Sequence, residues 1–193
     1  MKKIFILAFL GLSVFVSATA MAGDKGVYLG AGFSYNKMLS PDFSNLNSAI
    51  GLDLRVGYNF GPVMLEGNLL GSTHEDKRLT YEDASFGGMT IDVKVPFLKQ
   101  DRLNQPYLLV GLAGYSLTQK DPVTGSDVKL SGGGYDFGFG IEHRFNSHLA
   151  LNLSAIYRGI SYDKSETGGT TTKLPEKLRG NVRSVETGLN YYF

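Results

Sequence analysis

The sequence has no cysteine and no tryptophan. Without cysteine the chain has no disulfide framework, no thiol chemistry and no lipid-modified amino-terminal Cys. Removing residues 1–22 takes two lysines from the 19 basic residues and nothing from the 18 acidic ones, leaving 17 against 18. This balance argues against nucleic acid as a partner. After residue 22, no stretch is as long and apolar as a transmembrane helix.

The amino-terminal segment has the three-part layout of a secretory signal peptide. Lys2 and Lys3 precede an apolar run from Ile4 to about Val16, and small residues follow up to Ala22. A membrane-anchoring helix is the alternative, but the run is short for a span of about 20 residues. We therefore predict a cleaved signal peptide at residues 1–22, followed by one domain at residues 23–193.

The remaining sequence repeats one pattern, in which apolar and polar or small residues alternate. In residues 50–60, for example, Ile50, Leu52 and Leu54 alternate with Gly51 and Asp53. A period of two indicates strands with one apolar face. Eight such segments are predicted, at residues 26–36, 50–60, 63–69, 86–97, 106–118, 134–145, 148–162 and 185–193. The fifth is apolar on both faces, so its orientation stays ambiguous.

The connections between these segments alternate in length. Short connections follow the second and sixth strands and one of intermediate length follows the fourth, whereas long ones cover residues 37–48, 73–84, 119–131 and 163–180. This alternation is typical of an up-and-down barrel in an outer membrane. We predict an all-β fold, an eight-stranded antiparallel up-and-down transmembrane β-barrel with four long surface loops. A soluble lipocalin-like barrel is the alternative.

The face opposite the apolar one carries many glycines and ten charged residues. Small side chains suit the narrow interior of an eight-stranded barrel, so we predict that the charged set lines the lumen. The set comprises Asp53, Arg55, Glu66, Asp92, Lys94, Asp136, Glu142, Arg144, Arg158 and Glu186. Because an isolated buried charge is costly, we expect ion pairs. Arg55 with Glu66, and Arg144 and Arg158 with Glu142 and Glu186, are the expected pairs.

The last strand has an aromatic residue at the final position. Glu186, Gly188, Tyr191 and Phe193 resemble the carboxy-terminal recognition signal of bacterial outer-membrane barrels. The resemblance implies that the barrel-assembly machinery captures this strand during biogenesis.

The segment from Gly138 to Gly159 resembles the sixth and seventh strands of the small outer-membrane barrel family, which includes relatives of the OmpA transmembrane domain and OmpX. Members often carry a Gly-x-Glu-Tyr-Arg run, and this chain has His143 in the place of that Tyr. Nothing follows Phe193, so a peptidoglycan-binding domain is not expected. The resemblance implies fold and location but leaves the function open.

Catalytic and metal-binding signals are weak. His74 falls in a predicted loop, His143 on an outward position and His148 beside a short turn, so the three do not converge on a metal. His143 with Ser147 or Ser161 is the one vague candidate for nucleophilic catalysis. No enzyme activity, cofactor or metal site is expected.

The expected function is that of a non-enzymatic outer-membrane barrel with an ion-paired lumen. Its predicted role is in envelope integrity or in surface interaction, with outer-membrane lipid, lipopolysaccharide and an extracellular ligand of the loops as partners. The alternative is a narrow channel, or a lateral path for ions or small apolar solutes. The apolar fifth strand, with Leu108, Val110 and Leu112, favours this alternative.

Overall fold

The computed structural model describes residues 25–78, 82–97 and 103–193. The predicted signal peptide, residues 1–22, lies outside the described residues. Within those residues, no helix is long and apolar enough to cross a bilayer.

Eight antiparallel strands form one closed ring, in which each strand pairs with its neighbours in sequence and the last pairs with the first. This confirms the predicted fold class. The strands are β1 (Gly26–Met38), β2 (Ala49–Asn59), β3 (Met64–Asp76), β4 (Glu82–Pro96), β5 (Asn104–Lys120), β6 (Asp127–Arg144), β7 (Leu149–Thr167) and β8 (Thr170–Tyr192). A short 3-10 turn at Pro41–Phe43 lies between β1 and β2.

The ring is closed where β8 meets β1. The two strands are paired from Tyr28 opposite Tyr192 to Met38 opposite Val182. The last residue continues this ladder, because the Phe193 backbone N–H donates to the carbonyl of Val27 at 3.1 Å. Closure gives every strand two hydrogen-bonded neighbours. No strand edge is left unpaired in the membrane, where hydrocarbon could not hydrogen-bond its N–H and C=O groups.

The two ends of the barrel differ in how far the strands extend beyond the apolar band. At the turn end, short connections join β2 to β3, β4 to β5 and β6 to β7, and the chain terminates here with Phe193. At the opposite, hairpin end, β3, β6, β7 and β8 run five to fifteen residues beyond the predicted strand limits, and only Gly168 and Gly169 separate β7 from β8. The prediction of four long loops was therefore wrong in extent. These strand segments lack the outward apolar face of a membrane-spanning strand, so their sequence resembles that of loops.

The upper part of β8 has a free edge. β1 ends at Met38, and its last contacts with β8 are at Asn181. Beyond that point, within the described part of the chain, residues 170–173 and 178–180 of β8 pair with β7 alone, and residues 174–177 lie in a register irregularity between these two paired stretches. Pro175 lies in this edge segment.

A band of large apolar side chains surrounds the outside of the ring. It includes Leu52 (62% exposed), Ile91 (63%), Leu112 (74%) and Phe139 (63%), which come from four different strands. Aromatic residues mark its borders, as in the girdles of membrane barrels. Near the turn end these are Tyr58, Phe60, Phe97, Phe145, Tyr191 and Phe193, and near the hairpin end Phe33, Tyr35 and Tyr135. The predicted apolar face thus points outward.

The alternation reverses above this band. In β5, Leu108, Val110 and Leu112 point outward, whereas Tyr115 and Leu117 are 3% and 0% exposed and point inward. Above the band the outer surface meets water, so the apolar side chains move to the inside. Within the band itself, Leu109 is 2% exposed and points inward between Leu108 and Val110. The fifth strand is therefore apolar on both faces because of Leu109 within the band and because of Tyr115 and Leu117 above it. Its orientation is thereby resolved, and its outward leucines and valine face lipid.

We expect deletion of Phe193 to impair assembly strongly, because the deletion removes the last bond of the β8–β1 seam and an outer aromatic. A matched control removes Ser165, Glu166, Thr171 and Thr172, which form two rungs of the exposed β7–β8 hairpin and leave its Gly168–Gly169 turn intact. Folded protein in outer-membrane fractions, measured by heat-modifiable gel mobility, distinguishes the two. Equal assembly of both variants would contradict the proposed role of the terminal strand.

Candidate functional site

The structure places all ten predicted charged side chains inside the barrel. Nine are almost fully buried, with residue exposures of 1–6%, and Arg144 retains 13% exposure of its side chain at the turn end. Together they form a charged middle layer and part of a second layer near the turn end. The charged side chains come from β2, β3, β4, β6, β7 and β8, so the network spans most of the ring.

Arg158 is the centre of the longest chain of ion pairs. Its Nη2 donates to Glu186 Oε1 at 2.5 Å, and its Nε lies 3.4 Å from Asp136 Oδ2. Nη1 donates to the hydroxyl of Ser184, which in turn donates to Asn36 Oδ1 at 2.5 Å. One guanidinium therefore connects β1, β6, β7 and β8.

Arg55 extends this chain to β2. Its Nη2 lies 2.6 Å from Asp53 Oδ2 and 3.8 Å from Glu186 Oε2. The expected pair of Arg55 with Glu66 was wrong, because the register sets Asn68 opposite Arg55 and Gly57 opposite Glu66. Register cannot be read from one sequence, so parity alone gave the wrong partner.

Glu66 pairs instead with β4. Lys94 Nζ donates to Glu66 Oε2 at 2.6 Å, and the Tyr28 hydroxyl donates to the same oxygen at 2.7 Å. Lys94 also lies 5.0 Å from the centre of the Tyr107 ring. This cation therefore has both an anion and an aromatic face as partners, which suits a buried ammonium.

Asp92 is held by neutral groups. Asn68 Nδ2 and Thr90 Oγ1 each donate to Asp92 Oδ2 at 2.7 Å. No base of the described residues forms a salt bridge with Asp92. The carboxylate leans over Gly111 so closely that a side chain there would collide with it.

A second polar layer lies near the turn end. The Tyr192 hydroxyl donates to Glu142 at 2.8 Å, Asn190 Nδ2 donates to the same carboxylate at 3.0 Å, and Arg144 Nε lies 3.4 Å away. The Arg144 guanidinium also lies 4.9 Å from the centre of the Tyr192 ring. Tyr28 packs against Tyr192, with ring centres 5.0 Å apart.

The third layer, at the hairpin end, is apolar and was missed by the sequence analysis. Buried side chains from the upper strands meet here, and the β1–β2 connection folds over them. Phe43 packs edge-on against Tyr162 at 5.6 Å. The buried members are Met38, Phe43, Leu46, Leu70, Ala84, Phe86, Tyr115, Leu117, Leu130, Ile160, Tyr162 and Val182. The sequence signal was present as inward Leu, Ile and Phe residues that broke the polar face.

Polar contacts tie the β1–β2 connection to β3. His74, predicted in a loop, is instead a fully buried residue of β3, whose Nδ1 donates to the Asn47 carbonyl at 2.7 Å. The position was wrongly predicted because β3 runs seven residues beyond its last outer leucine, Leu69. Nearby, burial would raise the pKa of the Asp76 carboxyl, but hydrogen bonds from Arg78 outweigh it and hold that pKa below its usual value.

Inward tyrosines lie over glycines of the adjacent strands, a second feature that the sequence analysis missed. The Tyr107 ring covers Gly140, and the Tyr115 ring covers Gly88 and Gly134. A side chain at Gly140 would collide with the Tyr107 hydroxyl and ring. The Tyr107 hydroxyl then donates to Asn152 Oδ1 at 2.6 Å. Each tyrosine ring thus packs into the space that a glycine leaves on the adjacent strand. Predicting these contacts from the sequence would have required the strand register.

The structure does not bring His143 and Ser161, the weak candidates for nucleophilic catalysis, close together. His143 lies beside Leu151 on β7, ten residues along that strand from Ser161, or roughly 33 Å at 3.3 Å per residue. His143 Nδ1 lies 2.7 Å from Asn104 Oδ1. His148 contacts the Tyr192 carbonyl at 2.9 Å and stacks on Tyr191. In the described ranges, no group of three or more His, Asp or Glu side chains could hold a metal ion.

The four residues of the predicted assembly signal divide between the two faces of β8. Tyr191 and Phe193 point outward and contact each other edge-on at 5.2 Å. Glu186 points into the lumen, and Gly188 lies directly opposite Gly32 of β1. A side chain at Gly188 would collide with the β1 backbone, so this glycine allows the seam to close tightly.

An apolar outer band, polar lumen and closed ring define a bacterial outer-membrane β-barrel. The chain matches the family model described as "Outer membrane protein beta-barrel domain" over residues 6–193. It therefore belongs to this family, as the sequence resemblance implied, and the family points to the outer membrane as its location. No curated protein sequence matches the chain.

Several solved structures share the fold. Neisserial surface protein A (NspA) is 15% identical with a TM-score of 0.66, over 87% of this chain and 97% of that one. Ail, the attachment invasion locus protein of Yersinia pestis, is 14% identical with a TM-score of 0.57, over 88% and 99%. OprG from Pseudomonas aeruginosa is 16% identical with a TM-score of 0.58, over 87% and 96%. At these identities the likeness concerns the fold alone.

We expect Arg158→Leu to destabilise the barrel by about 3–5 kcal/mol, because Glu186 and Asp136 would lose their buried partner. The control is Arg78→Leu, which breaks an ion pair whose arginine is 41% exposed and costs about 1 kcal/mol or less. Urea unfolding in lipid vesicles measures both. Similar losses for the two variants would show that water screens the lumen charges.

We expect Gly140→Ala to cost about 1–3 kcal/mol, because the added methyl group overpacks the Tyr107 contact. Gly114→Ala is the control, since nothing lies within 4 Å of the side-chain position at Gly114. The same urea titration, compared by midpoint, tests this pair. A neutral Gly140→Ala would mean that Tyr107 moves aside at little cost and does not hold the layer in place.

Proposed function

We propose that this protein is a non-enzymatic, non-conducting barrel that presents a rigid β-sheet on the cell surface. Its work would be in surface interaction, with a contribution to envelope integrity. The observation that carries the proposal is the three-layered lumen. From the turn end to the hairpin end, a polar and aromatic layer around Glu142 and Tyr192, a middle layer of ion pairs and an apolar layer follow one another.

The lumen supports a plug in two ways. The middle layer is cross-linked, because Arg158 alone contacts partners on β6 and β8. The apolar layer above it offers an ion nothing to replace its hydration shell. Tyr162 and Val182, both 0% exposed, belong to that layer.

The hairpin end supports the surface role. In outer-membrane barrels the short turns face the periplasm and the longer connections face outward. By this rule β5 to β8 extend into the external medium as paired strands, which hold a binding surface in place more firmly than loose loops do. Lys173, Lys177 and Arg179 on exposed positions of β8 make part of this surface basic. Ail, which shares the fold, has been crystallised with a heparin analogue, sucrose octasulfate.

The alternative function is a narrow channel or a lateral path. The feature that favoured it was the apolar fifth strand, but Leu108, Val110 and Leu112 are 38–74% exposed on the outer surface. They line the lipid band and not an interior route. In the described residues the ion pairs of the middle layer remain the stronger observation, and they favour the plug.

Further proposals follow from the expected biogenesis. The signal peptide at residues 1–22 would direct export and be removed, leaving residues 23–193 as the barrel domain. The barrel-assembly machinery would recognise Glu186, Gly188, Tyr191 and Phe193 on the closing strand. The seam contacts of β8 support the assignment of the closing strand, and the layout of the amino-terminal sequence supports the signal peptide.

Planar-bilayer recording tests the plug. We expect the purified barrel to give no steady single-channel current, with a conducting porin in the same membrane as the positive control. Surface interaction is tested on cells that produce either the parent or the variant lacking Ser165, Glu166, Thr171 and Thr172.

We expect cells with the parent to bind immobilised heparin, and cells with Lys173→Gln/Lys177→Gln to bind it less. The shortened hairpin, which keeps both lysines, serves as the control for altered shape. Steady current from the parent would overturn the plug. Absence of heparin binding by the parent, with no current, would leave envelope integrity as the function to be measured, by detergent sensitivity of a deletion strain.

A further inference from the structure

The chain between β1 and β2, residues 39–48, lies over the hairpin end of the lumen, and we refer to it as the cap. Phe43 and Leu46 of the cap are 2% and 5% exposed and belong to the apolar layer of the lumen. Residues 39–48 contain one 3-10 turn and no strand. The position of the cap therefore depends on individual contacts with the strands on either side of it.

The cap is attached to β8 by uncharged groups. The Leu39 N–H donates to the Asn181 carbonyl at 2.8 Å, and the Asn181 N–H donates to the Ser40 hydroxyl at 2.8 Å. Ser40 is 2% exposed, so these bonds are shielded from water. None of the three side chains titrates, and this attachment is therefore insensitive to pH.

The cap is attached to β3 by backbone bonds and by one buried imidazole. The Asn47 N–H donates to the Glu75 carbonyl at 3.0 Å, and the Lys77 N–H donates to the Asn45 carbonyl at 3.0 Å. On the inner side, His74 Nδ1 donates to the Asn47 carbonyl at 2.7 Å. Because His74 is 0% exposed, the attachment to β3 includes a fully buried titratable ring.

The hydrogen bonds of His74 fit a neutral ring. A carbonyl oxygen only accepts, so Nδ1 carries the proton that points to Asn47. Nε2 then accepts from the Ser72 hydroxyl, which lies 3.0 Å away. A second proton on Nε2 would turn this acceptor into a donor and would place a positive charge beside Ala84, the buried cross-strand partner of His74. Both changes weaken the closed arrangement.

The charged groups near His74 do not offer it a free counterion. Asp76 lies two residues further on the same inward face of β3, about 7 Å along the strand. Both oxygens of its carboxylate are already bound by Arg78, at 3.2 and 2.8 Å. The described side chains that face the ring from adjacent elements are uncharged, namely Ala49 of β2, Ala84 and Phe86 of β4 and Asn47 of the cap.

We infer that His74 makes the cap a pH-sensitive switch, in which uptake of a proton by the buried ring breaks the attachment to β3. The cap then moves away from β3 while its attachment to β8 remains. This opens the hairpin end and exposes Phe43 and Leu46 to the external medium. The switch concerns the conformation of the cap, so it goes beyond the proposed surface role and does not depend on which molecule binds there.

The environment of the ring gives the direction of the pH dependence. Burial lowers the pKa of His74 below its usual value, and the hydrogen bond to the Asn47 carbonyl offsets this only in part. An open cap returns the ring to water, where histidine titrates at about 6.5. The open state therefore binds the proton more tightly. The closed cap has its full stability above about pH 6.5 and loses stability as the pH falls below that value.

Amide hydrogen exchange of the folded barrel in lipid nanodiscs tests the switch, with mass spectrometry of the peptide that covers the cap. Protection is corrected for the pH dependence of exchange in an unstructured chain. We expect protection of the cap to fall from about pH 7.5 to about pH 5, by up to about tenfold per pH unit, the limit for one proton. Peptides from the β1–β8 seam within the apolar band should keep their protection.

His74→Gln is the informative variant, because its amide can donate to the Asn47 carbonyl and accept from Ser72 without titrating. We expect its cap to stay protected at both pH values. His148→Gln at the turn end is the matched control and should respond to acid as the parent does. Glu75→Gln should also respond as the parent does, although the Glu75 carboxylate accepts from Asn47 Nδ2 at 3.1 Å.

An NMR titration of the parent tests the switch without a substitution, and it decides the matter if the His74→Gln cap is already open at neutral pH. The His74 ring and the Asn47 amide should shift together, with one midpoint below about 6.5. Three results would overturn the inference: constant protection of the parent cap, acid opening that persists in His74→Gln, or a His74 ring that titrates while the cap stays protected.

Discussion

Hydrocarbon forms no hydrogen bonds, and the rest of this structure depends on that constraint. It requires a ring without an edge in the membrane, which the pairing of β8 with β1 provides. It also requires the outward side chains to be apolar, so the polar half of each strand has to face inward. Ten charged residues on the inward faces of the strands then share the narrow lumen. Because the surrounding hydrocarbon excludes charged side chains from the outer face, they form ion pairs in the lumen, centred on Arg158.

The same rule explains how far the sequence could predict the fold. Inside the membrane the alternation is clean, and the ring, its eight strands and its outward face were predictable from it. Above the membrane, water replaces lipid and the preferred faces exchange. Leu108 and Leu117 of β5 are both apolar but lie on opposite faces for this reason. A single period-two rule predicts such strands as ambiguous or as loops. It therefore placed His74 in a loop, ended β7 too early and began β8 too late.

The lumen was predictable as a set, but only some of its pairs were predictable: Arg144 with Glu142 and Arg158 with Glu186 are present as expected, whereas Arg55 does not pair with Glu66. Parity gives the face of each charged residue, and the structure finds all ten within. Partners, however, depend on register, which moves Glu66 from Arg55 to Lys94. The tyrosine–glycine contacts, such as Tyr107 over Gly140, depend on register as well. A glycine and a tyrosine in separate strands carry no mark in the sequence that they will meet.

The free edge of β8, beyond its last contact with β1, affects how neighbouring copies of the barrel can associate in a crowded membrane. Outer membranes hold barrels at high density, and an exposed strand edge is a template on which neighbouring copies can polymerise. Residues 170–180 carry Pro175, which has no N–H to offer a newcomer, and the register of the hairpin shifts between Tyr162 and Lys164. Lys173 and Lys177 add mutual repulsion between copies. The free edge of β8 can therefore remain unpaired in a crowded membrane without forming intermolecular β-sheets with neighbouring copies.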